Sequence, residues 1–345
     1  MTTKKDRTLS KIVSFLAYPL KIVELLVLIA LLLFSLMLIR GWTSEQSTGG
    51  SLFDSPPPTP LPTPSPTPGV FLVKQTPTPR PTPVLNLTFT NEPFYLSLAN
   101  TGSYTVGVVA NVSDEDILRF DGTNFSMFFD GSDVGVGAVN LDAFSLLDSN
   151  TILMSFDNPV TISGLGTVDD SDTVQFDATS LGDTTAGAFS WFFDGSDVEL
   201  TTDNEDIDGI DLLPNGQLLV STIGSVSVTG VSGQDEDILI FTPTSLGANT
   251  AGTWAIYFDG SDVGLADTSD EDVDGLALST SNSIYLSTVG SFSVTGLSGN
   301  DEDVFVCIPD SVGDNTACTY SSALSFDGSL WGLSGNDVDA IDPIP

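Results

Sequence analysis

From Pro93 to the C-terminus the chain repeats itself with a period of roughly 65 residues, and no other feature restricts its fold as strongly. "FDGSDV" begins at Phe129, Phe193 and Phe258, and a degraded copy, "FDGSLW", begins at Phe326. "DED" begins at Asp114, Asp235 and Asp301, with "DSD" at Asp170 in the remaining unit. Between them stand "ILMSFDNPVTISGLG", "LLVSTIGSVSVTGVSG" and "IYLSTVGSFSVTGLSG", so three blocks recur in one order.

Each unit reads as four main strands. In the third copy "DILIFTP" and "GTWAIYFDG" precede "VDGLALS" and "SIYLSTVG", which are joined by the polar turn "TSN". Trp254, Ile256 and Phe258 alternate along "GTWAIYFDG", the period-2 signature of a strand. Tandem four-stranded units predict an all-β fold, a β-propeller of four blades. The array is circularly offset: the last unit stops at "NDVDAIDPIP", while "PFYLSLANTGSYTVGVV" after the linker matches "SIYLSTVGSFSVTGLSG", the block that should come next. Exchange of N- and C-terminal strands would therefore close the ring and remove a free sheet edge. Each unit also echoes itself at half length, which leaves eight smaller units as the alternative.

The region after residue 85 holds 42 acidic residues against a single basic one, Arg119. Such a field repels phosphate, so nucleic acid is excluded as a partner. The chain has no histidine, which removes the commonest general base and the usual zinc ligand. A catalytic carboxylate pair needs only Asp and Glu, so an extracellular glycan hydrolase stays open as the alternative to a non-enzymatic role.

Upstream of the repeat the chain divides into four parts. Residues 1–21 form a short tail, and residues 22–39, "IVELLVLIALLLFSLMLI", are apolar apart from Glu24 and Ser35. Eighteen helical residues span about 27 Å, close to the thickness of a bilayer core. Lys4, Lys5, Arg7, Lys11 and Lys21 precede this span and Arg40 follows it, which places the N-terminus in the cytoplasm. The expectation is an uncleaved single-pass signal anchor in the cell membrane, with everything after it extracellular. Residues 40–85 include "SPPPTPLPTPSPTP", whose prolines favour polyproline II and make a stalk. Residues 86–345 are the acidic repeat domain.

The two cysteines, Cys307 and Cys318, fall on either side of one hairpin loop in the repeat alignment. In an oxidising compartment a disulfide there would contribute about 2–3 kcal/mol.

Two sets of carboxylates recur at a spacing of two residues. Asp206/Asp208, Asp272/Asp274 and Asp337/Asp339 are equivalent, and the first unit keeps Asp142 but has Asn140 in place of the other Asp. On a strand such pairs share one face. The second set is Asp114/Asp116, Asp170/Asp172, Asp235/Asp237 and Asp301/Asp303. Hard oxygen ligands suit Ca²⁺, the cation that the extracellular medium supplies. Surface solvation is the competing reading of the same charge. Phe125, Phe189, Trp254 and Tyr320, one per unit, fit packing between blades better than stacking of sugars.

The stretch "DIDGIDLLPNGQLLVSTIGSVSVTGVSGQDEDILIFTP", together with "YFDGSDVGL", resembles a type of bacterial cell-surface β-propeller. Its blades carry "DxDALxxLPDGxLLVST", then "FSVxGLSGxDEDxxxFTP" and "YFDGSDVGL". The likeness covers residues 93–345 and implies the fold, but no activity. More distantly the chain is similar to lumen-side propellers that bind calcium through Asp-rich loops, although their tight DxDxDG loop is absent. The expected role is binding of an extracellular protein or glycan at the cell surface, with a lectin or hydrolase as the alternative.

Overall fold

The computed structural model describes residues 92–100 and 104–344. The tail, apolar span, Pro/Thr-rich stalk and domain start at 86 expected from the sequence lie outside the described residues. No helix among the described residues is long and apolar enough to cross a membrane.

Four antiparallel four-stranded sheets succeed one another as blades, each listed here from its inner strand outward. Blade I joins Val338–Pro343, Phe94–Leu98, Ile117–Phe120 and Phe125–Phe129. Blade II is Ala143–Leu146, Thr151–Ser155, Thr173–Ser180 and Ala186–Phe193. Blade III is Ile207–Leu212, Leu218–Thr222, Ile238–Ser245 and Ala251–Phe258. Blade IV is Leu276–Leu278, Ile284–Leu286, Asp303–Ser311 and Ala317–Tyr320, with Phe326–Asp327 also paired to its third strand. The inner strand of each blade touches those of both neighbours, and the inner strands of blades I and III also meet across the ring. This is a four-bladed β-propeller, and the half-size alternative is not what forms.

Ring closure follows the sequence offset. Phe94 pairs with Pro343, Tyr95 with Asp342, Leu96 with Ile341 and Leu98 with Val338, so the two ends of the repeat array build one sheet. Each blade also carries a two-stranded hairpin between its second and third strands, such as Val226–Val228 with Val231–Gly233. That element was not separated from its block in the sequence reading. Its strands are three residues long, and the left-handed Gly230 (φ 87°) makes the turn.

The core lies between blades. The Phe of each FDG motif enters the next blade: Phe129 meets Phe176 at 5.3 Å and Phe193 meets Phe241 at 5.2 Å, both edge-on. At the closing junction Phe326 packs on Phe94 at 4.9 Å and on Phe120 at 5.4 Å. Each such ring removed from water contributes about 1.5–3 kcal/mol. The four repeated aromatics, on the fourth strands, pack chiefly on the third strand of their own blade: Phe125 lies against Phe120, Phe189 against Phe176, Trp254 against Phe241 and Tyr320 against Phe305. Cys307 and Cys318 are joined as a disulfide in blade IV, with Cα atoms 5.7 Å apart.

Three aspartates of the FDGSDV motifs hold neighbouring blades together. Asp133 accepts the Thr185 N–H at 2.8 Å, and the Thr185 hydroxyl accepts the Asp130 N–H at 2.9 Å. Asp197 with Thr250 and Asp262 with Thr316 repeat this reciprocal clasp at the next two junctions. At the junction from blade IV to blade I the corresponding residue is Leu330, 73% exposed, and Trp331 packs against Phe120 instead.

Candidate cation site in the central channel

The starts of the inner strands and the residues just before them form tiers around the ring centre. The outermost tier is Asn140, Asp206, Asp272 and Asp337; the next is Asp142, Asp208, Asp274 and Asp339. Their mutual electrostatics join adjacent blades, with Asp208 feeling Asp272 and Asp142 and Asp274 feeling Asp337, Asp339 and Asp208, and Asp142 also acts on Asp272 from the opposite blade. Asn140 bridges blades II and I through its amide, which donates to Asp142 at 2.7 Å and to Asp339 at 2.8 Å. The sequence-predicted pairs Asp206/Asp208, Asp272/Asp274 and Asp337/Asp339 thus lie beside one another around the ring, together with Asp142.

A third tier escaped the sequence reading. Asp211 accepts the Leu278 N–H at 2.8 Å and the Ser145 hydroxyl at 3.1 Å, and Asp342 accepts the Leu146 N–H at 2.7 Å. These bonds tie inner strands of adjacent blades. Asp211 stands three residues after Asp208, out of step with a period of two, and only a bulge between Ile207 and Gly209 brings it onto the same face. The bulge between Leu96 and Leu98, opposite Val338 and Ile341, marks the same irregularity in blade I. A DxDxxD spacing in two units was the available signal.

The channel carboxylates are buried and poorly satisfied. Asp208 is 4% and Asp274 2% exposed. Both oxygens of Asp208 and one each of Asp206, Asp272, Asp274 and Asp337 are buried with no hydrogen-bond partner among the described residues. The Ser221 hydroxyl lies near enough to Asp208 to favour its charged form, but its geometry makes no hydrogen bond. Desolvation first, and repulsion from the other carboxylates second, push Asp142, Asp272 and Asp337 up to about 8 and Asp206 to about 9. The same two causes raise Asp208, Asp274 and Asp339 well above the usual carboxylate range. Seven ionised carboxylates cannot share such a space uncompensated. They must hold protons or surround a cation, and Arg119, the one basic residue among the described residues, sits on the third strand of blade I. A cleft of about 620 Å³, lined in part by Asp157, Asp169, Asp170, Asp203 and Asp206, leads from solvent to the outermost tier.

The second predicted set divides. Asp237 accepts the N–H groups of Gln234 (2.9 Å) and Gly260 (3.0 Å), and Asp303 those of Asn300 (3.0 Å) and Gly328 (3.1 Å). Each of their oxygens is committed to a backbone N–H, and Asp116 and Asp172 repeat the pattern. The glycine is fixed by the same turn, since a Cβ on Gly260 would lie 2.3 Å from the Glu236 carbonyl oxygen. Asp235 and Asp301 instead stand beside the outermost tier, where their charge raises Asp272 and Asp337.

These features define the class: an acidic four-bladed β-propeller with a carboxylate-lined axis. No family model matches the chain, and no curated protein matches it. Among solved structures it is similar to the extracellular domain of a protein described as a one-component system, BT4673, from B. thetaiotaomicron. The identity is 11%, over 66% of this chain and 33% of that one, with a TM-score of 0.26. The chain therefore spans a third of that structure's length, and a likeness so slight bears on neither fold nor role.

Proposed function

We propose that the chain is a non-catalytic binding module displayed outside the membrane on its N-terminal anchor and stalk, with a propeller held together by Ca²⁺ on its axis. The observation that carries the cation is the set of seven acidic side chains around the ring centre, five of which (Asp206, Asp208, Asp272, Asp274 and Asp337) have a buried oxygen with no hydrogen-bond partner among the described residues. Carboxylates at this density fit a hard divalent ion with six to eight oxygen ligands better than a protonated cluster. Asp142, Asp208, Asp274 and Asp339 are its ligands, with Asp206, Asp272 and Asp337 lining the approach; no three of these carboxylates bring an oxygen each within 4.8 Å of one another in the ion-free chain, so the ion would draw them together. Burial of Asp208 and Asp274 supports a structural rather than a hydrolytic role, because a glycosidic oxygen would have to reach them.

The binding role draws on the opposite end of the channel. There a cavity of about 500 Å³ is lined by Leu213, Ser279, Ile344, Asp211, Asp342 and Tyr285 among others. Leu213, Ser279 and Ile344 occupy corresponding positions in three blades, so fourfold symmetry is lost where a ligand could be read. An apolar cleft with a few converging polar groups is the usual form of such a site. An extracellular protein or glycan is the partner class.

The test is thermal unfolding of the full chain at constant ionic strength in excess Ca²⁺, in Mg²⁺ and in EDTA. Ligand at a hundred times its dissociation constant stabilises the native state by about 2.7 kcal/mol. The expected result is a higher midpoint in Ca²⁺ than in EDTA; equal midpoints would contradict the proposal.

A further inference from the structure

We propose a second Ca²⁺ site, separate from the axis, at the channel mouth where blade III meets blade IV, formed by Asp235, Glu236 and Asp267. One carboxylate oxygen from each of these residues lies within 4.8 Å of the other two. That is the spacing of oxygens sharing one ion at 2.3–2.6 Å (about 5 Å across it).

A second observation makes this more than an acidic cluster. Glu236 is 2% exposed, and its Oε2 and the Asp235 Oδ1 are buried without a hydrogen-bond partner among the described residues. Asp267 is positioned separately, its Oδ2 accepting the Gln234 side-chain amide at 2.7 Å. The ligand set therefore joins a buried pair to an exposed third arm. Asp267 faces solvent, so the ion has a path in and keeps water on its open side.

The site breaks the repeat. Asp267 follows Phe258 by nine residues, and the residues nine after Phe129, Phe193 and Phe326 are Ala138, Thr202 and Gly335. Glu115 and Glu302 match Glu236 but have no third carboxylate at this place, and blade II has Ser171 instead of the Glu. The inference does not rest on the axial site, since none of its three ligands is an axial residue.

Calorimetric titration of the EDTA-stripped full chain with CaCl₂, at constant ionic strength, tests it against Asp267→Asn. The exposed Asp267 contacts only the Gln234 side chain by hydrogen bond, so this variant should fold, and its circular dichroism is to match wild type. The expected result is the loss of one equivalent of bound Ca²⁺ while any remaining binding is unchanged. Asp208→Asn supplies the complementary measurement: it should weaken axial binding and leave the equivalent that depends on Asp267. If the axis binds nothing, wild type still takes up one equivalent and Asp267→Asn none. An identical titration for wild type and Asp267→Asn overturns the proposal.

Discussion

The Asp side chains of this chain do three different things according to what surrounds each carboxylate. Asp116, Asp172, Asp237 and Asp303 accept two backbone N–H groups apiece and fix a turn. Asp133, Asp197 and Asp262 clasp a threonine of the next blade. The axial residues meet each other, and their elevated pKa values set the pH dependence of the cation-free protein. Burial and mutual repulsion hold Asp142, Asp272 and Asp337 at about 8 and Asp206 at about 9, above the ordinary aspartate value near 3.8 of an unfolded chain. The native state therefore binds more protons than the unfolded state between about pH 4 and 9. Stability in EDTA should be greatest at the acid end of this window and decline as pH rises through 8. Added Ca²⁺ should oppose that decline, because it takes the place of the protons. Unfolding midpoints at pH 5.5 and 8.5, with and without Ca²⁺, check both signs: the Ca²⁺ increment must be larger at pH 8.5.

At the scale of elements, the FDGSDV segment is a joint whose parts can be separated by mutation. Thr250→Val removes the hydroxyl that accepts the Asp194 N–H at 2.9 Å, at a cost of about 1–2 kcal/mol. Gly260→Ala should cost more, because its Cβ would fall 2.3 Å from the backbone oxygen of Glu236. Urea unfolding of both variants gives the order. The repeated motifs made the four strands and their joints legible in sequence, since FDG, DED and alternating apolar residues each mark one strand end or face. The hairpins were hidden by their length, because three-residue strands such as Val226–Val228 display too little alternation to separate from their neighbours. Asp211 and Asp342 were hidden by bulges, which shift a side chain to the other face without any mark in the hydrophobic pattern.

For the molecule as a whole, the circular offset of the repeat was the feature read most completely from sequence, and it leaves closure dependent on both ends of the array. Removing 338–345 takes away the inner strand of blade I and with it Asp339 and Asp342. The truncated chain should lose cooperative unfolding and expose the face of Phe94–Leu98, which a broadened melting transition and dye binding would register. The whole-chain formal charge of −37 explains why ionic strength must be held constant in every comparison, since any salt relieves self-repulsion. The axis concentrates that charge where solvent cannot screen it, so occupancy of the channel decides the account. The most direct measurement is a crystal structure of the full chain grown in Ca²⁺, with anomalous scattering used to locate the ion. The account predicts an anomalous peak on the propeller axis, ringed by carboxylate oxygens of Asp142, Asp208, Asp274 and Asp339. A channel with no such peak, its carboxyls paired with one another through shared protons, would contradict it.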